Sequence, residues 1–507
     1  MAEAQAQQEG AQAAAIEGSL LDSILSKVDV PSPKGSIDIK NFKQQEAVAE
    51  TDRSQMMAAA LKVFVDAVAQ QGQAFQKIDK YLIDDLIAGI DQKISSQLDE
   101  VLHHDKFQQL EAAWRGMKLL IDRTDFRKNV KIEMLNVSKQ DLQESFEDSP
   151  ELIQSALYRH VYTNAYDQPG ADPYGAIVTN YEFENSPQDI ALLTNMSKVS
   201  ASAHCPMIGS VGPKFFGQDS MEDWKKIPDL AAYMQTSDFI KWNSFRETED
   251  ARYCGLVFPR YMGRLPYGPD TVPVKEFNYV ENVTGEDHDK YLWCNASFTF
   301  AANMVQAFMT DGWCVQIRGP EAGGRVDDLP VHLYDVGKGK QMKIPTEVPI
   351  SETLEFECAN LGFMPISHYQ GRDYAVFFSA NSTQKPQLYD DPNATANSRI
   401  NSRLPYILLA ARISHYLKVI QRKNIGATKD ANVIQGELNR WLKGLVTEME
   451  NPSQEVIARY PLRAAEVKVE ELDDNPGFFR VKTMLMPHFQ IEGMDISLSL
   501  VGKMPKK

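Results

Sequence analysis

Near the end of the chain, Met494, Ile496, Leu498 and Leu500 alternate with Asp495, Ser497 and Ser499. Strict alternation gives a strand one apolar and one polar face, so a last strand is predicted here. Such a strand has at most one sequence-adjacent partner. Its other edge calls for a distant segment or another molecule. Phe489 and Ile491 are apolar at odd positions, so the phase slips at Gly493 and predicts a bulge or kink. Two strands precede it. Val467 and Val469 mark the first, and Asp473-Asp474-Asn475-Pro476-Gly477 is a turn. Phe479, Val481, Thr483 and Leu485 mark the second, which Pro487 ends.

Upstream the period changes to that of helices. One runs from 396 to 424 and stops before Gly426; another runs from 431 to 450 with Ile434, Leu438, Trp441, Leu442 and Leu445 on one face. Residues 51–123 read as helices, through Leu61, Val65 and Val68, then Tyr81, Leu82, Leu86, Ile90 and Ile94, then Phe107, Leu110, Trp114, Met117, Leu120 and Ile121. From 130 to 380 strands and helices alternate. Strands are predicted at 130–135, 176–179, 207–211, 255–258, 314–317, 331–334 and 374–378, and helices at 150–163, 187–203, 289–311 and 350–361. The fold class is α+β: a mixed α/β body with N-terminal helices and closing strands. The divisions are an N-terminal arm at 1–50, a helical region at 51–125, a mixed α/β domain at 126–385 and a C-terminal domain at 386–507.

The arm carries one short amphipathic helix. Ser19 and Asp22 make a capping-box-like start, Leu20, Leu21, Ile24, Leu25 and Val28 share a face, and Pro31 and Pro33 end it. It is too short to hold alone in water. Either it docks on its own domain or it is a tag for a partner. Ile37 and Ile39 then alternate in an extended segment.

The net charge of the 507 residues is −16, which argues against general nucleic-acid binding or an anionic lipid surface. The cysteines are Cys205, Cys254, Cys294, Cys314 and Cys358, odd in number and without a C-x-x-C pair, and they predict reduced thiols packed in cores. The first basic residue is Lys27, so no signal peptide is expected. Lys62, Asp66 and Arg412 interrupt the most apolar stretches, so no membrane insertion is expected. The expected location is the cytoplasm.

Catalytic patterns fail on their own terms. In Gly337-Lys338-Gly339-Lys340 a P-loop would need glycine at His332 or Tyr334. Gly209-Ser210-Val211-Gly212 is one residue short of a nucleophile elbow. His103 and His104 are adjacent and read as a partly exposed helix end rather than a metal site. No cofactor is expected. One charge feature does stand out: from Pro392 to Lys429 there is no Asp or Glu. This window holds Arg399, Arg403, Arg412, Lys418, Arg422, Lys423 and Lys429. They either pair with acids at home or present a basic face elsewhere. Surface pairs are each worth only about 0–1 kcal/mol, so such a face would grip through repetition.

Several segments carry a family resemblance in order. They are Leu110-Glu111-Ala112-Ala113-Trp114-Arg115-Gly116, Arg264-Leu265-Pro266-Tyr267-Gly268, Glu276-Phe277-Asn278-Tyr279 and Ile491 to Val501. Through them the chain resembles the large subunit of the type VI secretion contractile sheath, a relative of phage tail sheaths. The resemblance implies a structural role without enzymatic activity. It implies pairing with a small sheath subunit, polymerisation with further copies around an inner tube of hexamers, seating on a baseplate, and disassembly by a Clp-type AAA+ ATPase. It assigns Leu20, Leu21, Ile24, Leu25 and Val28 to ATPase recognition. Ile37, Ile39, Ile491, Met494, Ile496, Leu498 and Leu500 fall to strands shared between subunits, and Arg403, Arg412, Lys418, Arg422 and Lys423 to a tube-facing surface. The alternatives are a non-contractile scaffold or an enzyme with an unfamiliar site.

Overall fold

The computed structural model describes residues 80–471 apart from 276, 338, 448 and 450, together with 479–488 and 490. The chain forms two compact units. One takes residues up to Leu110 with Arg264–Tyr291; the other takes Glu111–Gly263 with Leu292 onward.

The first unit contains helix α1 (Lys80–Leu102), the first turns of α2 (Asp105–Asp122), and the irregular stretch 264–291. The second unit is built on a six-stranded sheet. Its strands are β1 (Ile177–Phe183), β2 (Met207–Val211), β3 (Cys254–Phe258), β4 (Arg325–Val326), β5 (Phe363–His368) and β6 (Ala375–Phe377), in spatial order β1-β2-β3-β5-β6-β4. The pairs from β1 to β5 are parallel, and β6 is antiparallel to both its neighbours. Strands covered on both faces read as continuous apolar runs, which is why β2 and β3 are buried throughout.

Alternate side chains feed two cores. Met207, Leu256, Phe258 and Phe363 join the core made with α3 (Pro187–Ala203) and the aromatic segment Phe215, Phe216, Trp224 and Trp242. Ile208, Val257, Met364 and Ile366 join the core under α4 (Ser297–Asp311) and Leu404, Ile407 and Leu408. Gly116 of the 110–116 segment permits close packing, since a Cβ there would stand 2.3 Å from the Phe298 ring.

Helix α5 (Glu352–Asn360) leads into β5, and the C-terminal part comprises α6 (Pro392–Asn401), α7 (Leu404–Asn424), α8 (Ala431–Lys443), β7 (Leu462–Glu471) and β8 (Phe479–Pro487). Leu409, Ile413, Leu417, Ile434, Leu438, Leu442, Leu462, Val467 and Val469 form its core. Each such buried side chain contributes about 1.5–3 kcal/mol.

Five expectations change. The segment 130–135 is not a strand: it has no ladder partner, and Met134 and Leu135 are exposed. Residues 314–317 also form no strand, and Val315 and Ile317 are buried by packing alone. The helix expected at 396–424 is two helices, α6 and α7. Pro405 has no N–H for a bond to Asn401, and its ring would crowd that carbonyl. The helix expected from 289 begins at Ser297, because Trp293–Cys294 pair antiparallel with Tyr261–Met262. The 150–163 helix is in fact a short turn, Ala156–Tyr158, and a nine-residue π-helix, Arg159–Asp167.

Candidate functional site

Three places concentrate polar side chains. The first is the carboxyl edge of the parallel strands, where open α/β sheets bind ligands if strand order reverses. Here the order β1-β2-β3-β5 runs one way. Internal pairs fill the edge. Arg260 donates to both oxygens of buried Glu347, at 3.0 and 2.6 Å. Lys139 donates to the Glu182 carbonyl at 3.2 Å and to Asp189 at 2.8 Å. Among the described residues no group of three or more His, Cys, Asp and Glu could hold a metal, and no helix is long and apolar enough to cross a membrane.

The second place lies in the first unit and joins two of the segments that carry the resemblance. Arg264 donates to both oxygens of Glu281, at 2.6 and 3.1 Å. The Tyr267 N–H donates to the same carboxylate at 2.8 Å, and His103 Nε2 lies 3.1 Å from it. The Tyr279 hydroxyl donates to Asp99 at 2.6 Å, and the Arg264 guanidinium stacks 4.6 Å from the Tyr267 ring centroid. Burial pushes the Glu281 carboxyl up, but His103, Arg264 and the Tyr267 N–H outweigh it and hold it at about 2. His103 is therefore bonded to a buried acid rather than solvated. Sequence reasoning missed Glu281. The available signal was an acid two residues beyond the tyrosine of 276–279.

The third place is the C-terminal part. Three basic residues of the acid-free window pair at home, and the first, Lys429, donates to Glu437 at 2.5 Å. Arg422 donates to the carbonyls of Tyr166 and Asp167, at 3.0 and 2.6 Å, which are the open acceptors at the end of the π-helix. Lys418 bonds Asp167 at 3.0 Å and sits 3.5 Å from the Tyr166 ring centroid. Beside them His415 Nε2 donates to the Ala203 carbonyl at 2.9 Å. Burial, with Arg412, His204 and Lys418 nearby, pushes that imidazole down to about 4. Arg412 stacks on Tyr416, which also meets Trp313 and Trp441. Lys423 is exposed, and Arg403 stands at the N-cap position of α7 without a side-chain capping bond while its backbone bridges to Asn381.

The hairpin β7–β8 is asymmetric. Asn439 of α8 donates to the Val467 carbonyl at 3.1 Å and accepts from the Val467 N–H at 2.8 Å. Gln435 accepts from the Val469 N–H at 3.0 Å. Residues 446–447 close the edge at Leu462. The outer edge of β7 is thus sealed. Val467 faces Thr483 and Val469 faces Val481 across the ladder. In an antiparallel pair, opposed residues both turn inward or both turn outward. Thr483 and Val481 therefore point their N–H and C=O away from β7. Among the described residues this sheet has two strands only, so that edge of β8 is open. The expected recognition helix (Leu20, Leu21, Ile24, Leu25, Val28) and shared strands (Ile37, Ile39, Ile491, Met494, Ile496, Leu498, Leu500) lie outside the described residues.

Among the described residues the site is thus a sheet whose strand order does not reverse and a hairpin with one unpaired edge. The comparisons name the class. Residues 84–384 match the family VipB, described as EvpB/VC_A0108, tail sheath N-terminal domain. Residues 393–504 match its tail sheath gpW/gp25-like domain. Over 466 residues the chain is 39% identical to the type VI secretion system sheath protein TssC1 of Pseudomonas aeruginosa, covering 91% of this chain and 94% of that protein. The chain belongs to this tail sheath family, as a sheath subunit of the type VI secretion class. Two solved structures are distantly similar at 11% identity. The anti-feeding prophage baseplate covers 74% of this chain and 83% of its own (TM-score 0.36). The contracted helical sheath of that prophage covers 62% and 68% (TM-score 0.32).

Proposed function

We propose that this chain is the large, non-catalytic subunit of a contractile cytoplasmic sheath. It pairs with a small sheath subunit and polymerises with further copies around an inner tube of hexamers, on a baseplate. The edge of β8 that no described residue pairs is the observation that supports this most. It suits strand addition, in which backbone bonds give grip and alternate side chains give register. The strand at 494–500, and the segment at 37–39, supply that chemistry from neighbouring subunits. Four or five ladder bonds contribute only a few kcal/mol at about 0.5–1.5 each. Repetition through a lattice multiplies them while each body still turns on its tether.

Co-expression with the small subunit, followed by negative-stain microscopy, tests the reading. Full-length chain should give hollow tubules, and chain truncated after Gly493 should give heterodimers only. Tubules from the truncated chain would refute strand exchange.

The helix with Leu20, Leu21, Ile24, Leu25 and Val28 is proposed as the handle for a Clp-type AAA+ ATPase that takes the contracted sheath apart. Leu21→Asp with Leu25→Asp should abolish binding to that ATPase's N-terminal domain; unchanged binding would sink the assignment. Of the tube-facing residues, Lys418 and Arg422 are spent on the π-helix, and exposed Lys423 is the one that best suits the role.

A further inference from the structure

The chain leaves β8 along a constrained path. Pro487 ends the strand, and the His488 N–H donates to the Pro461 carbonyl at 3.2 Å. Gln490 is then held from three sides. Its backbone N–H donates to the Tyr406 hydroxyl at 3.0 Å. Its side-chain Nε2 donates to the Val315 carbonyl at 3.0 Å, and its Oε1 accepts from Arg318 Nε at 2.7 Å. Each anchor is itself fixed: Val315 is 3% exposed, Arg318 7% and Tyr406 8%. The amide can sit only one way round, since a flip would set N–H against N–H and carbonyl against carbonyl.

The anchors also span the two family matches. Val315 and Arg318 fall within the N-terminal sheath domain at 84–384, and Gln490 within the gpW/gp25-like domain at 393–504. A free tail would need none of this. A segment whose starting point must be held in place needs all of it.

We propose that Gln490 is a positioning residue for assembly. It is the fixed root of the C-terminal strand, so that pairing and tension in that strand are delivered to the N-terminal domain at Val315 and Arg318 rather than to the β7–β8 hairpin. This rests on the reading that the strand beyond it pairs with a neighbour. Fixing the root raises the effective concentration of the strand at its acceptor edge, and that is where its loss should register.

The test uses full-length chain co-expressed with the small subunit, with pelleted polymer measured against protein concentration. Gln490→Ala should raise the critical concentration about tenfold, with the melting temperature of the heterodimer unchanged. Gln490→Glu keeps an acceptor for Arg318 but not the donor to Val315, and should recover most of the loss. Chain truncated after Gln490 is the control and should not polymerise. If truncated chain polymerises like the parent, strand exchange itself falls, and the anchor with it. If truncation abolishes polymer but Gln490→Ala matches the parent, only the anchor falls. If Gln490→Ala lowers melting and assembly together and Gln490→Glu restores neither, the residue is a packing group and the proposal is overturned.

Discussion

Two polar clusters in this protein are made on opposite principles. Around Glu281 a full charge pair is taken almost completely out of water, with side-chain exposures of 7% for Arg264 and 1% for Glu281. It is built mostly from one short stretch, 264–281, plus His103. At the junction of α7 with the π-helix the cations stay partly wet, Asp167 is 56% exposed, and the buried imidazole is that of His415, held neutral by burial. The partners there are about 250 residues apart in sequence. A buried ion pair must be saturated, because each ion taken from water costs several kcal/mol unless every lone pair is met. A partly wet junction tolerates imperfect pairing and gains little from any one contact. The first arrangement suits a part that keeps one shape. The second suits a joint between the two sheath domains.

Breaking the buried pair should have the largest effect. Glu281→Ala strands Arg264 and should cost about 3–5 kcal/mol in denaturant unfolding. Glu281→Leu with Arg264→Met should cost clearly less, because no charge is left unpaired. Equal losses in the two variants would show that the pair is not the source of stability.

Acidification should separate the clusters next. His415 in the folded chain titrates at about 4, below its ordinary 6.5. Between those values the unfolded chain binds a proton that the folded chain refuses. The contribution is therefore complete above about pH 6.5 and gone by about pH 4, roughly 3 kcal/mol in all. Glu281 is held at about 2 against 4.5, so its contribution is complete above pH 4.5 and fades as pH falls toward 2. Melting temperature followed from pH 7 to 3 should fall first in the histidine window. His415→Phe should flatten that window and leave the lower one. A profile unchanged by His415→Phe would remove the histidine from the account.

The smallest effect belongs to the wet cations. Lys418→Ala should cost no more than about 1 kcal/mol and should shrink further at high salt. A large, salt-independent loss would mean that the contact with the Tyr166 ring, rather than the charge, holds the joint.

Much of the body was legible in the sequence. The helix at 187–203 and the strand at 207–211 stand where apolar pattern and caps put them, because burial on one or both faces leaves its period in the sequence. Pro405 was legible too, yet the apolar stripe of α7 masked it. Residues 314–317 carried a strand's composition without a ladder, because burial of Val315 and Ile317 needs only neighbours, whereas a strand needs an edge. The polar clusters were less visible. The segments 264–268 and 276–279 stood out, but nothing local pairs Arg264 with Glu281 or sends His103 to it. For the acid-free window, the sequence leaned toward home pairing and left an outward basic face as the alternative. Only packing of α7 on the π-helix gave Lys418 and Arg422 to Asp167 and left Lys423 outside.

By itself, then, the sequence determined the periods, the breaks, the acid-free window and the segments that carry the family. These depend on neighbours three or four residues away, or on matching order along the chain. The tertiary structure alone decided which charges are spent inside, which edge of the last hairpin is sealed by Asn439 and Gln435, and where Gln490 is fastened. Those outcomes depend on which groups meet in space, and hydrogen bonds between groups 28, 34, 84 or 251 residues apart leave no period in the sequence.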